Sequence, residues 1–280
     1  MKLVVTEKND AARNIAELLG DRKPTSDKVY STPIYRFTRD GEDWVTIGLR
    51  GHILEVDFPE SFKRWKMATL PSLVYAPVEK IPKEKEIIRS LKNLAGKASH
   101  IIIATDFDRE GELIGSDALS CIREANASAP VSRARYSSFT KEEITESFAN
   151  LTTLDENLAQ AGESRQDIDL IWGAVLTRYL TMVKFAGYGN VRSSGRVQTP
   201  TLALIVARER EREAFIPEDY WVVRGSFGTG ADAFEAPHAT PRFKSAEAAQ
   251  AVMDAVAGET QATVTNVERK RRTVAAPAPF

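Results

Sequence analysis

The chain opens with an apolar run, Leu3-Val4-Val5, between Lys2 and Thr6, and turns polar at Glu7-Lys8-Asn9-Asp10. A short apolar run bounded by polar residues predicts a buried strand over residues 2–6. Ala11, Ala12, Ile15, Ala16, Leu18 and Leu19 then recur at helical spacing and predict a helix that stops at Gly20, with Asn9 or Asp10 as its cap. "DWVTIGLRGHILEVDF" predicts a strand ending in a turn near Gly51, and "KEKEIIRSLKNLAGKA" an amphipathic helix. "HIIIATDFDREGELIGSDALSCIREA" reads as strand, loop and helix. "SRARYSSF" adds a strand, and "TKEEITESFANL" a helix capped by Thr140. Strands alternating with helices up to about residue 150 predict an α/β domain with a mainly parallel sheet.

The pattern then changes. Residues 155–185 are helix-compatible throughout, with Gly162 and Gly173 as breaks. "YGNVRSSGRVQTP" predicts a loop, and "TPTLALIVARERERE" a helix with Pro200 in its first turn. From "IPEDYWVVRGSFGTG" onward, alternation and glycines predict β-structure, interrupted by a short helix at "SAEAAQAVMDAVAG" and resumed as a strand at "TQATVTNVERKRRTV". Three domains are expected, over 1–150, 151–216 and 217–280.

Composition narrows the class. The single cysteine, Cys121, excludes an internal disulfide framework and a cysteine-based zinc cluster. No apolar stretch is long enough to span a bilayer, and the N-terminus lacks the apolar core of a signal peptide. A reducing cytoplasm fits both. The net charge of −1 argues weakly against a general nucleic-acid binder. Residues 165–213, however, hold eight Arg or Lys (Arg165, Arg178, Lys184, Arg192, Arg196, Arg208, Arg210, Arg212) against five acids. Phosphate binding depends on such local placement more than on the total.

The chemistry concentrates after "IIIAT", where Asp106, Asp108, Glu110 and Glu112 follow at every second position. Like charges packed so closely repel unless a cation sits among them. In open α/β sheets, ligands gather at the carboxyl ends of parallel strands, and Glu7 ends the first strand as Asp106 ends the later one. If those strands are neighbours, the acids meet. Hard oxygen ligands in a loop suit Mg²⁺, which bridges to substrate phosphates, and Lys8 can contact the same phosphate. An acidic helix N-terminus is the competing explanation.

"VTEKNDAARNIAELL" together with "ATDFDREGELIG" resembles the TOPRIM module, shared by type IA and type II topoisomerases, bacterial primases and some nucleases. "SRQDIDLIWGAVLTRYL", followed by "SSGRVQTPTLALIVARERERE", resembles the helical gate region of type IA DNA topoisomerases, in wording most like the archaeal topoisomerase I and topoisomerase III groups. The resemblance implies a Rossmann-like TOPRIM sheet, a helical gate base and the start of a β-rich arch. It implies Mg²⁺ held by Asp106, Asp108 and Glu110. Glu7 would be general acid/base, with Lys8 and Arg196 positioning the scissile phosphate. It places Arg165, Arg178 and Arg196 on the DNA backbone, with Arg133 or Arg135 contributing from the strand before Tyr136. Gln198 and Trp172 become single-strand contacts, although Trp172 reads equally well as core. Asp169, four residues after Arg165, shares its helix face, where the two also read as an ordinary ion pair. His52 in "RGHILE" resembles a Gly-His pair near the family's active site, and a lone histidine can also be merely structural.

One element of that chemistry is not found. The family attacks DNA with a tyrosine in a segment resembling "G-Y-I-T-Y-x-R-T-D", and none of the seven tyrosines has that context; Tyr188 in "AGYGN" comes nearest. The family's nucleophile follows a "P-x-P-F" segment, and the chain ends at "PAPF". The expectation is therefore a monomeric N-terminal piece, nucleoid-associated in the cytoplasm, that binds single-stranded or negatively supercoiled DNA. The remainder of the same polypeptide would carry the tyrosine. A stand-alone TOPRIM nuclease or primase-like enzyme, or a non-catalytic DNA-binding accessory protein, are the alternatives.

Overall fold

Leu3, Val4 and Val5 are all fully buried, because strand β1 (Lys2–Thr6) lies inside a six-stranded sheet with apolar clusters on both faces. Burial on two sides is what a continuous apolar run, rather than an alternating one, requires. In the computed structural model, which describes residues 1–184 and 190–274, β1 leads into α1 (Asn9–Leu19) and a meander of β2 (Thr25–Val29), β3 (Thr32–Arg39) and β4 (Glu42–Gly48). The hairpin β5 (Leu54–Asp57) and β6 (Glu79–Pro82) encloses an excursion with the short helix α2 (Leu70–Leu73). Next come α3 (Lys85–Ala95), β7 (His100–Ile103), α4 (Arg109–Arg123), β8 (Val131–Arg133), α5 (Lys141–Ala149) and α6 (Glu156–Lys184). The sheet order is β2-β3-β4-β1-β7-β8; β4, β1, β7 and β8 run parallel, and β3 and β2 are added antiparallel.

The α/β class and the mainly parallel sheet agree with the sequence reading, and several details differ. The sequence reading assigns no element over 25–39; β2 is almost wholly exposed and shows no apolar alternation, while β3 buries Ile34, Tyr35 and Phe37. Neither Asn9 nor Asp10 caps α1: Lys8 takes the cap position without a side-chain bond, and Asn9 Nδ2 donates to the Tyr35 hydroxyl at 3.0 Å. Thr140 caps α5 as expected, its Oγ1 accepting from the Glu143 amide at 3.3 Å. Gly162 and Gly173 do not break α6, a single helix of 29 residues. Gly162 instead allows α4 to approach, since a Cβ there would stand 2.6 Å from the Arg109 carbonyl oxygen.

The described chain falls into two compact units, Met1–Leu204 and Ile205–Phe280, and α7 (Gln198–Ala214) runs across that division. The second unit contains the antiparallel pair β9 (Arg224–Phe227) and β10 (Phe234–Pro237), followed by α8 (Ala246–Ala255), capped by Ser245. Residues 259–274 form no strand, contrary to their pattern. A strand exists only with a ladder partner, and none of the described residues provides one. Tyr188 and the terminal "PAPF" lie outside the described residues.

Candidate active site at the carboxyl ends of the central strands

Strands β1 and β7 are direct neighbours, with Val5 opposite Ile103, so the residues that follow each strand emerge side by side. Two tight approaches hold this corner. Gly48, at the end of β4, lies against the Asn9 backbone, and a Cβ at Gly111 would run into the Asp106 carbonyl. Beyond β4 the chain turns through Arg50 and Gly51, both at positive φ (64° and 83°), and Gly51 donates its amide to the Glu7 carbonyl at 2.9 Å. Glu7 is the more sheltered of the two emerging acids. Lys8 Nζ stands between them, 3.1 Å from Glu7 Oε1 and 3.9 Å from Asp106 Oδ2. The hydrogen bond to Glu7, with the charges of Glu7 and Asp106, raises the Lys8 ammonium above its ordinary value.

The repulsion among the four acids after β7 is relieved one acid at a time. Asp106 faces Lys8. Asp108 caps α4, its Oδ1 accepting from the Gly111 amide at 2.7 Å, where the helix dipole favours negative charge. Glu110 accepts from Arg165 Nη1 at 3.0 Å and lies 3.3 Å from His52 Nε2. Glu112 is fully buried and bonded to Arg133 Nε at 3.0 Å. Three cations and a helix N-terminus thus share the neutralisation of these four acids in the described chain.

A second wall is formed by α6 and the loop after it. Arg196 forks onto Asp169, Nε to Oδ1 at 2.6 Å and Nη2 to Oδ2 at 3.0 Å; this bond holds the Asp169 carboxyl below its usual range and raises Arg196. Asp169 thus pairs with Arg196 and not with Arg165, its neighbour on the helix. The loop is fastened by hydroxyls: Thr181 Oγ1 accepts the Arg192 amide and Thr177 Oγ1 the Ser194 amide, each at 2.9 Å, and Thr199 Oγ1 accepts the Gly195 amide at 3.1 Å. Gly195 is not at positive φ, and the nearest atoms to a Cβ there would be those of the Gln198 side chain, from 3.2 Å; backbone freedom is not its role. Gln198 Nε2 donates to Ser193 Oγ at 2.8 Å. Trp172 is 54% exposed and does not belong to the core.

Two arginines expected on DNA are turned inward. Arg133 is fully buried, and besides Glu112 it donates to the carbonyls of Ile103, Ala134 and Asp106. Arg178 is buried as well, donating to the Phe62 carbonyl at 2.6 Å and lying over the rings of Phe58 and Trp65; burial lowers its basicity. Arg135 is the partly exposed member of its pair, lying over the Phe107 ring.

Several residues at the site carried no signal in the sequence reading. Gln166 Nε2 lies 3.2 Å from His52 Nδ1 and so links α6 to the turn after β4. Lys80 bridges Asp117 (2.8 Å) and Glu163 (2.7 Å), pinning β6, α4 and α6 together. Burial raises the Asp117 carboxyl. The spacing of Glu163 and Gln166 with Arg165 on one helical segment was the available clue.

Mg²⁺ takes oxygen ligands, keeps several waters, and is held by one or two carboxylates together with substrate phosphates. Among the described residues, no three acidic, His or Cys side chains converge closely enough to ligate one metal ion. Glu7 and Asp106 do converge, on the Lys8 ammonium, so a cation position flanked by oxygen donors exists. That donor set fits Mg²⁺. Glu110, with its carboxylate on Arg165 and His52, is directed to the other wall.

Known proteins share this arrangement of sequence. Residues 2–139 match the Toprim domain model, and residues 153–280 match the model described as DNA topoisomerase. The chain is 38% identical over 279 residues to DNA topoisomerase 1 of Thermoplasma acidophilum, covering 100% of this chain and 36% of that protein. It is 40% identical over 282 residues to DNA topoisomerase 1 of Archaeoglobus fulgidus, covering 99% and 40%. Human DNA topoisomerase 3-alpha is 33% identical over 230 residues, 77% of this chain and 23% of its own. The chain thus spans well under half the length of these relatives. Its fold resembles that of full-length topoisomerase I from Thermotoga maritima, with a TM-score of 0.57 at 23% identity over 89% of this chain and 37% of that one. Among the described residues no helix is long and apolar enough to cross a membrane. With a Toprim domain followed by a topoisomerase region, and relatives of that name along its whole length, the chain belongs to the type IA DNA topoisomerase family.

Proposed function

We propose that this chain supplies the phosphate- and metal-binding half of an enzyme that breaks, passes and rejoins one DNA strand. The observation that carries the reading is the convergence of Glu7 and Asp106 on Lys8, at the carboxyl ends of two adjacent parallel strands. Asp106, with Glu7 beside it, would hold Mg²⁺, which supplies charge neutralisation at the phosphate. Lys8 binds the scissile phosphate as a point charge, and Glu7, the sheltered carboxylate next to it, holds or releases the proton at the leaving 3′ oxygen. Arg165 and Arg196, on the facing wall, are held by carboxylates that a DNA phosphate can displace, and the exposed Trp172 offers a stacking face. The reacting tyrosine comes from the remainder of the polypeptide. The enzyme works as a monomer on chromosomal DNA in the cytoplasm, and the three expected segments (1–150, 151–216, 217–280) are its Toprim domain, gate base and arch.

The 280-residue chain, incubated with Mg²⁺ and negatively supercoiled plasmid, is expected to bind single-stranded DNA without nicking or relaxing the plasmid. Asp106→Asn is expected to abolish its Mg²⁺ uptake. Relaxation by the chain alone, or Mg²⁺ uptake unaffected by Asp106→Asn, would overturn the assignment.

A further inference from the structure

We infer that Arg133 is a positioning residue for Asp106: its buried guanidinium, clamped by Glu112, fixes the main chain that aims the Asp106 carboxylate; this rests on the reading of Asp106 as a metal ligand. The need arises from the sheet. Strand β8 pairs with β7 only as far as Ile103–Arg133, so the chain from Ala104 to Asp106 leaves the ladder while still buried over Ala104 and Thr105. Buried carbonyls outside a ladder require other donors. The Tyr136 hydroxyl donates to the Ala104 carbonyl at 2.7 Å, and Arg133 Nη2 donates to the Asp106 carbonyl at 2.9 Å. Arg133 also reaches the carbonyls of Ile103 and Ala134, so one planar fork spans the last ladder residue and the first site residue.

Glu112 holds that fork in place. It lies in the first turn of α4, fully buried, with Oε1 on Arg133 Nε and Oε2 without a hydrogen-bond partner. The same turn is tied to the loop by the Asp108–Gly111 bond and by Thr105 Oγ1, which donates to the Gly111 carbonyl at 2.7 Å. Residues 104–112 are thus closed into one hydrogen-bonded unit with Arg133 at its centre. A lysine would keep the charge opposite Glu112 but has no planar fork to reach Glu112 and these carbonyls together. Residues that orient a metal ligand typically change metal affinity by about 10–100-fold when removed.

The test uses the full chain and two variants, Arg133→Lys and the double Arg133→Met/Glu112→Leu, which replaces the buried pair by apolar groups and so leaves no unpaired charge. Mg²⁺ affinity is measured by calorimetric titration, and amide hydrogen exchange is followed over residues 104–111 and, for reference, over β1. Both variants are expected to unfold cooperatively, to exchange faster over 104–111 with β1 unchanged, and to bind Mg²⁺ about 10–100-fold more weakly. Folded variants with Mg²⁺ affinity within about twofold of the parent and unchanged protection over 104–111 would overturn the proposal. Failure of both variants to fold would also overturn it, since Arg133 would then be a fold determinant with no separable role. If the parent chain takes up no Mg²⁺, the metal reading of Asp106 falls. The exchange pattern then still decides whether Arg133 holds the loop.

Discussion

Arg133 and Arg196 each bind one carboxylate, and both read from the sequence as DNA contacts, yet the structure places them in opposite surroundings. Arg133 and Glu112 are both 0% exposed, while Arg196 and Asp169 are each more than two-fifths exposed. In the core the pair cannot be exchanged for water, so it fixes backbone. At the surface the carboxylate is a partner that a phosphate can replace. The residue type gives the chemistry, and burial decides whether that chemistry serves the fold or a ligand.

Glu112→Ala should produce the largest effect, because it leaves Arg133 charged and unpaired in the core. A loss of about 3–5 kcal/mol in urea unfolding is expected, and a loss below about 1 kcal/mol would erase the contrast with the surface pair. Arg178→Ala falls between the two cases. Removing its bond to the Phe62 carbonyl and its packing on Phe58 and Trp65 should cost about 2 kcal/mol, with DNA affinity of the folded variant unchanged. A selective loss of DNA binding would move Arg178 to the surface class.

For Arg196→Ala the expected order is reversed. Stability stays essentially unchanged, while single-stranded DNA binding weakens and the slope of log affinity against log salt falls by about 0.7 to 1, as for one lost phosphate contact. An unchanged salt slope would remove Arg196 from the DNA surface. The smallest effect is the pH dependence of the surface pair. Arg196 depresses the Asp169 carboxyl in the folded chain, so the stabilisation is present above the unfolded value of about 3.9 and disappears as pH falls through the lower folded value. The difference in thermal melting between the parent and Asp169→Asn should therefore shrink between neutral pH and about pH 3. A difference that persists there would show that the pair does not act through charge.

The central strands and the helices that follow them were legible because two-sided burial leaves continuous apolar runs, as in Leu3-Val4-Val5 and Ile101-Ile102-Ile103, and because amphipathic spacing marks α1 and α3. The meeting of Glu7 with Asp106 followed from strand adjacency alone. The edge strand β2 was not legible, since an exposed edge strand has no apolar signature, whereas its neighbour β3 does bury Ile34, Tyr35 and Phe37. The inward turn of Arg133 was hidden because arginine is rarely buried. A clue existed in Val131, two residues earlier on the same strand face, which packs against the core. Arg165 pairs with Glu110, 55 residues earlier, and Asp169 with Arg196, 27 residues later, whereas helical spacing points only to local pairs.

The unbroken α6 has a mechanical meaning. Its 29 residues extend roughly 43 Å at about 1.5 Å per residue. Along that rod, Gly162 meets α4, Glu163 meets Lys80, Arg165 meets Glu110, and Arg178 grips the excursion between β5 and β6. Turning the rod by one residue would swing every one of these by about 100° and break them together. A rotation of α6 about its axis would therefore disturb all four contacts together, the one to Glu110 among them.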